Sequence, residues 1–242
     1  MNNTRQTQTF IGAMVLAAAA SAGYAGFLSH GLHLYYGLAV LVLAEATSRM
    51  KVKLPGIDGN MSVNLPFLLT AAVSLSTVET VAIAGACTVV QCWPKRDAKF
   101  KPQQLLFNVS MMTLASSIAS LVFHSAWLRS TGWSPAVAGL ILATAALFLG
   151  QTAPVATVIG LSEGSSIAHN WWNLAQLSFP YYVVSAGVTS LMQSVSHHIG
   201  WQVALAVFPV MYGIHRSYRV YFAGLAQPSH TPQLARAANA GH

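Results

Sequence analysis

The sequence predicts an all-α fold, a polytopic transmembrane helical bundle of about eight spans, and three observations support this class. Hydrophobic residues make up 54% of the 242 residues and charged residues only 7%, against about 25% in soluble proteins. Several apolar segments approach the roughly 20 residues that a helix needs to cross a bilayer. The alternation typical of membrane β-strands is weak throughout. Most of the protein's surface is therefore expected to face lipid.

The apolar segments predict the helices in chain order. The expected spans are about 9–28, 32–49, 62–77, 78–93, 103–127, 134–161, 180–197 and 200–221. The third and fourth are short and meet at STVET, and the sixth is interrupted at GQTAP. A polar, aromatic piece, SSIAHNWWNLAQLSFP, precedes the seventh, and its Pro180 is expected to end or kink a helix. A weak internal repeat relates the pair Phe107-Asn108 to Trp172-Asn173.

The positions of the basic residues predict the orientation of these spans. With the N-terminus inside, eleven of the twelve Lys and Arg residues fall in cytoplasmic segments and only Arg129 falls outside. This asymmetry is typical of cytoplasmic loops and predicts that both termini are cytoplasmic. It also explains the net charge of +7 without nucleic-acid binding. Residues 1–222 form the transmembrane domain, and residues 223–242, which contain Pro228 and Pro232, form a disordered cytoplasmic tail.

Two carboxylates lie within the apolar segments, where ionised groups are costly unless they face protein or water. Glu45 and Arg49 are four residues apart on one helical face, which favours an ion pair at the helix end over a proton or ligand site. Glu79 follows Ser76 at the break between the two short segments. We expect its carboxylate to cap the start of the second short segment. The alternative is that Glu79 is a polar group at the head of a cavity.

Amide and aromatic side chains supply the candidate ligand-binding residues. Amides in membranes usually bond neighbouring helices, and Trp and Tyr also collect in the interfacial belt. The sharper hypothesis is a shared pocket, because mostly apolar pockets with a few convergent polar groups are the usual form of ligand site. The predicted ligand-binding residues are Asn108, Trp172, Asn173, Gln176 and Tyr181. They carry no fixed charge, so we expect a small neutral or weakly polar ligand, such as a lipid or a quinone-like molecule.

The cysteines, histidines and carboxylates give little support to a metal site or an enzyme. Cys87 and Cys92 are five residues apart in one apolar segment, so both are interpreted as structural free thiols. The pair His30 and His33 and the pair at 197–198 are placed in outer loops, with no Cys or carboxylate close in sequence. The sequence contains no hydrolase, P-loop, zincin or dinucleotide motif. We therefore predict no catalytic residues, no metal site and no cofactor.

Three stretches carry a resemblance to a known family: SVNLPFLLTAAVSLSTVETVAIAGACTVVQCW, QQLLFNVSMMTLASSIASLVF and IHRSYRVYF. They resemble the N-terminal membrane sensor region of bacterial cyclic-di-GMP signalling proteins, which precedes an HD-GYP or GGDEF catalytic domain. The resemblance covers most of residues 60–222 and implies a location in the bacterial inner membrane. In that family the last span continues into a signalling helix. Here Gly224, Pro228 and Pro232 interrupt such a helix and no catalytic motif follows, so enzymatic activity is not carried over.

The expected function is a stand-alone membrane sensor or small-ligand-binding module. Its expected partners are the lipid bilayer, a small ligand and a separate signalling or transport protein. Two other classes stay open, a transporter or substrate-binding subunit of an importer, and a structural or assembly membrane protein. Uptake of a labelled small molecule into proteoliposomes distinguishes the transporter from the others.

Overall fold

The computed structural model describes residues 2–28, 31–48, 50–53, 60–94, 100–125 and 135–199, and six residues between 209 and 220. These residues form seven α-helices and one short β-hairpin, which confirms a helical architecture. In chain order the elements are α1 (Asn2–Leu28), α2 (Leu34–Ser48), β1 (Lys51–Lys53), β2 (Asn60–Ser62), α3 (Leu65–Ser74), α4 (Thr77–Cys92), α5 (Pro102–Phe123), α6 (Pro135–Glu163) and α7 (Ile167–Ile199).

Three helices among the described residues are long and apolar enough to cross a membrane: Thr4–Phe27, Pro102–Phe123 and Ala136–Glu163. They support a membrane location for the protein. Helices α2, α3 and α4 are apolar but have only 10–17 residues, so the expected count of about eight spans is not supported. The eighth expected segment, 200–221, falls mostly outside the described residues, and the expected tail at 223–242 falls entirely outside them.

The short helix α3 lies at the centre of the bundle. Every residue from Leu65 to Val73 is buried, because α3 packs against α7, α2, α5 and α4. Two side chains of α7 bond to its first residues. Tyr181 Oη accepts a hydrogen bond from Leu65 N at 3.3 Å, and Thr189 Oγ1 donates to the Pro66 carbonyl at 3.1 Å. Helix α7 thus fixes the start of α3 inside the bundle.

Helices α3 and α4 form an antiparallel hairpin. The Ser76 hydroxyl accepts from Glu79 N at 3.3 Å and Glu79 Oε2 accepts from Ser76 N at 3.0 Å, so the expected cap is confirmed. Across the turn, Thr80 Oγ1 donates to the Ala71 carbonyl at 2.9 Å. The Ala71 carbonyl also accepts from Leu75 N at 2.9 Å, so two donors share it at the end of α3. The expectation of two short segments meeting at STVET is confirmed.

One end of this hairpin is hydrogen-bonded to the residue before α2, and the other end lies near the end of α2. At one end, His33 N donates to Glu79 Oε1 at 2.7 Å, just before α2 begins. At the other end, the Glu45 carboxylate acts electrostatically on the Cys87 thiol, which lies beside Asn64. Helices α2 and α4 therefore run in the same direction and end on the same side of the bundle. Arg49, the expected ion-pair partner of Glu45, lies outside the described residues.

Helices α6 and α7 are continuous where interruptions were expected. Helix α6 runs through Pro154 at GQTAP, so the expected interruption there is wrong, and α7 runs through Pro180, so this proline does not end the helix. A proline removes one backbone donor, but membrane helices tolerate it where neighbouring groups satisfy the freed carbonyl. The piece before Pro180 therefore belongs to α7. Residues 197–198 also lie within this helix rather than in an outer loop.

The β-hairpin between α2 and α3 was not expected. Its two strands are antiparallel and pair Lys51 with Ser62 and Lys53 with Asn60. The intervening sequence, LPGIDG, contains Pro-Gly and Asp-Gly, which are common turn signals. The composition therefore carried a signal for this hairpin, although the strands are only three residues long.

Candidate functional site

Three of the five predicted ligand-binding residues lie on one outward face of α7. Trp172 is 56% exposed, and Asn173 and Gln176 are exposed as well. His169 lies one turn before Asn173, and its Nε2 atom is 3.1 Å from Asn173 Nδ2. Residues three, four and seven positions apart share one side of a helix. We call His169, Trp172, Asn173 and Gln176 the α7 polar face.

Contacts between α6 and α7 flank the part of this face from Trp172 to Gln176. Just before Trp172, Trp171 Nε1 donates to Thr152 Oγ1 at 3.1 Å. After it, the rings of Phe148 and Phe179 pack edge to face with centroids 5.9 Å apart. The α7 polar face is therefore level with the part of α6 between Phe148 and Thr152.

This part of α6 lies at mid-depth in the bundle. A Cβ placed on Gly150 would be 2.7 Å from Ala115 Cβ, so α5 and α6 are in close contact there. Ala115 lies near the middle of α5, and α5 is long enough to cross a membrane by itself. The α7 polar face is therefore level with the middle of α5, although it begins in the first turn of α7 itself.

Outward-facing amides that meet hydrocarbon require a partner. Hydrocarbon offers no hydrogen bonds, and burial of an unpaired amide costs about 1–3 kcal/mol by mutational data. Polar side chains within membrane spans almost always face protein or a cavity. Asn173 satisfies part of its capacity through His169, whereas the described residues provide no hydrogen bond to Gln176. A group outside the described residues would have to supply that partner.

An open apolar groove adjoins the face. It has a volume of about 380 Å³ and is lined by Leu149, Ala153, Thr157, Ile167, Ala168 and Trp171. Because successive helical residues are about 100° apart, Trp172 lies between the groove and the amides on the surface of α7. The small side chains of Ala153 and Ala168 leave the space that the groove occupies. The surface thus combines an apolar slot with adjacent hydrogen-bonding groups, a combination suited to an amphiphilic molecule.

The other two predicted residues lie elsewhere. Asn108 is half-buried on α5, and its Nδ2 donates to Cys92 Sγ at 3.2 Å across the α4–α5 contact. Tyr181 is 2% exposed and points inward to the start of α3. The structure therefore does not bring the five residues into one cavity. Asn108 and Asn173, equivalent in the expected repeat, also occupy different surroundings.

The remaining sequence predictions concern thiols and histidines. Cys87 and Cys92 are free thiols within α4. The described part of the chain contains no group of three or more His, Cys, Asp or Glu side chains that could hold a metal ion. His33 contributes its backbone N–H to Glu79, and His30 and the side chains at 197–198 lie outside the described residues.

Sequence reasoning missed the groove beside Trp172. Its lining residues are ordinary apolar and small residues, and their one shared property is their position between α6 and α7. The small residues at 153 and 168 were the available signal, since small side chains on neighbouring helices either allow close contact or leave space.

Comparison of the chain with protein families, curated proteins and solved structures finds no match.

Proposed function

We propose that this protein is a membrane sensor or small-ligand-binding module of the bacterial inner membrane, with both ends of the described chain on the cytoplasmic side. The observation that carries the proposal is the α7 polar face, where exposed amides lie beside an apolar groove. The resemblance to membrane sensor regions supports the signalling role. A separate protein would then receive the signal.

The ligand is a neutral or weakly polar amphiphile that enters from the bilayer. Its apolar part occupies the groove lined by Ala153 and Ala168, and its carbonyl or hydroxyl group bonds to Asn173 and Gln176. The α7 polar face contains no Lys, Arg, Asp or Glu, so a fixed charge on the ligand would have no counter-charge there. Quinone-like molecules and neutral lipids have this combination of groups.

The test is to identify small molecules that remain bound to the purified protein and its variants by native mass spectrometry. Asn173→Leu and Gln176→Leu should each lower ligand occupancy, because Leu has similar size but no hydrogen-bonding group. Ala168→Phe should lower it by filling the groove. Ser190→Leu is the matched control, since Ser190 is exposed further along α7, and it should leave occupancy unchanged.

Two results would contradict the proposal. In the first, ligand occupancy is the same in the parent protein and in all four variants, which would mean that the ligand binds elsewhere. In the second, a dimer of the parent protein dissociates in Asn173→Leu and Gln176→Leu without loss of any small molecule. A second copy of the chain, rather than a ligand, would then cover the α7 polar face.

A transporter is the second candidate, and the α3–α4 hairpin favours it. Many transporters place their substrate site where broken helices meet inside the bundle, and α3 is a ten-residue helix buried from Leu65 to Val73. Proteoliposomes loaded with buffer and supplied with a labelled amphiphile or amino acid distinguish the two candidates. Vesicles that contain a sensor should take up no more label than protein-free vesicles, whereas vesicles that contain a transporter should take up more.

A further inference from the structure

The α7 polar face contains one hydrogen bond between side chains among the described residues, and it joins His169 to Asn173. Asn173 Nδ2 lies 3.1 Å from His169 Nε2, and both side chains are exposed. An amide NH₂ group donates and does not accept, so His169 accepts this bond through an unprotonated Nε2. Asn173 Oδ1 then lies on the side of the amide opposite His169. In this arrangement Asn173 offers a ligand an acceptor.

Protonation of His169 reverses the preferred direction of this amide. The charged imidazole ring donates from both nitrogens, so Nδ2 of Asn173 would face another donor at 3.1 Å. A half-turn of the amide about its Cβ–Cγ bond removes the repulsion, because Oδ1 then accepts a charge-assisted bond from His169 Nε2. Nδ2 moves to the opposite side. Beside charged His169 the same side chain therefore offers a ligand a donor.

Few other titratable groups lie around His169. Helices α6 and α3 pack against α7. Helix α6 contains one titratable residue, Glu163, which is exposed at its last position, and α3 contains none. On α7 itself, Tyr181, Tyr182 and the pair at 197–198 lie more than three turns after His169. Histidine side chains ordinarily change charge between about pH 5 and 8, so a pH change in this range acts on the adjacent amide through His169.

We propose that His169 sets the selectivity of the amphiphile site: with neutral His169 the site prefers a hydroxyl group, and with charged His169 it prefers a carbonyl group. The inference rests on the ligand-binding function proposed above and names the group that the ligand presents. A carbonyl only accepts, so it gains most when Asn173 Nδ2 faces it, whereas a hydroxyl can also donate to Oδ1. Among quinone-like molecules this difference separates the reduced form, which has hydroxyls, from the oxidised form, which has carbonyls.

His169 is thus a positioning residue that acts through Asn173 and needs no contact with the ligand. Gln176 makes no comparable hydrogen bond among the described residues, so its amide can offer either group at any pH. Gln176 therefore contributes to binding without contributing to the pH-dependent selectivity.

The test uses two photoreactive probes that differ only in the polar group: a long-chain methyl ketone with a diazirine in its chain, and the secondary alcohol made by its reduction. The full chain is reconstituted in phosphatidylcholine vesicles and irradiated with each probe at about pH 5 and about pH 8. Mass spectrometry then measures labelling of the groove residues. Since neither probe titrates in this range, we expect the ratio of ketone to alcohol labelling to rise at least twofold at the lower pH.

Two substitutions of His169 separate positioning from a merely structural role. His169→Lys, whose ammonium group only donates, should give the high ratio at both pH values. His169→Gln, whose amide donates or accepts without a charge, should give a ratio that does not change with pH. His124→Gln is the matched control, because His124 is exposed at the end of α5, and it should keep the pH response of the parent protein.

The outcomes distinguish this inference from the proposed function. If both probes label the groove but their ratio is the same at the two pH values, His169 does not set selectivity, and the ligand site remains. A pH response that persists in His169→Gln would also overturn the role of His169. If neither probe labels the groove at either pH, the ligand site itself is contradicted, and the selectivity with it.

Discussion

Glu79 uses both carboxylate oxygens to join three parts of the bundle. Oε2 accepts from the Ser76 backbone and hydroxyl at 3.0 and 2.7 Å, and Oε1 accepts from His33 N at 2.7 Å. The first two bonds fix the start of α4, and the third fixes the start of α2. A carboxylate also suits the positive end of α4. Sequence spacing predicted the cap but not the bond to His33, which joins residues 46 positions apart.

We predict that Glu79→Ala lowers the free energy of unfolding by about 0.5–2 kcal/mol, because it removes a helix cap and the hydrogen bond to His33 N. Thermal or denaturant unfolding in detergent measures the change. Glu163→Ala is the control, since Glu163 is exposed at the end of α6, and it should be neutral. If both variants unfold like the parent, the contact between Glu79 and His33 does not stabilise the protein.

The boundaries of α5 and α6 follow hydropathy closely, whereas α7 begins well before the expected segment 180–197, and helix faces do not follow hydropathy. The expected segment 103–127 corresponds to α5 at Pro102–Phe123, and the expected 134–161 corresponds to α6 at Pro135–Glu163. In a soluble helix the polar side identifies the exposed face. Here lipid and bundle interior are both apolar, so nothing in the composition of α7 showed that Trp172 and Asn173 face outward. The shared cavity predicted from these residues depended on that missing information.

Close contact between α5 and α6 depends on the absence of a side chain at Gly150. A methyl group there would lie 2.7 Å from Ala115 Cβ and 3.1 Å from Ala115 Cα. Because Ala115 is 1% exposed and Cα is backbone, the helices themselves would have to move apart. Small residues that permit such contact are a main source of stability between membrane helices.

Gly150→Ala should therefore destabilise the protein by about 1–3 kcal/mol, the usual cost of overpacking. Unfolding in detergent measures this, with Gly187→Ala as the matched control, because nothing lies within 4 Å of a Cβ at Gly187. Gly187→Ala should be neutral or slightly stabilising, since Ala favours the helix. A neutral Gly150→Ala would mean that α5 and α6 separate without cost.

At the scale of the whole molecule, the α3–α4 hairpin decides which loops lie together. Because the hairpin turns back at Ser76, α2 and α4 end on the same side. The basic segments that follow them in the sequence contain Lys51 and Lys53 in one case and Lys101 in the other. A single broken span from 65 to 92 would instead have placed them on opposite sides. This arrangement agrees with the positive-inside orientation that we propose.

We predict that single cysteines at Lys53 and Lys101 react from the cytoplasmic side only, in a background with Cys87 and Cys92 replaced by Ser. A cysteine at Leu32, which is 59% exposed in the α1–α2 loop, should react only from the other side. Labelling with a membrane-impermeant maleimide in intact cells and in inverted vesicles gives the result. Opposite accessibility of Lys53→Cys and Lys101→Cys would exclude the hairpin.

The central position of α3 has a consequence for how the chain is assembled. Ten helical residues extend about 15 Å, which is half the thickness of the hydrocarbon core. Such a segment cannot insert as an independent helix, and its bonding partners Tyr181, Thr189 and Gln193 belong to α7, more than 110 residues later in the chain. During synthesis α3 therefore stays without its final surroundings until α7 has been made. Completion of the bundle is a late event, and chains that stop before α7 should remain open to proteolysis.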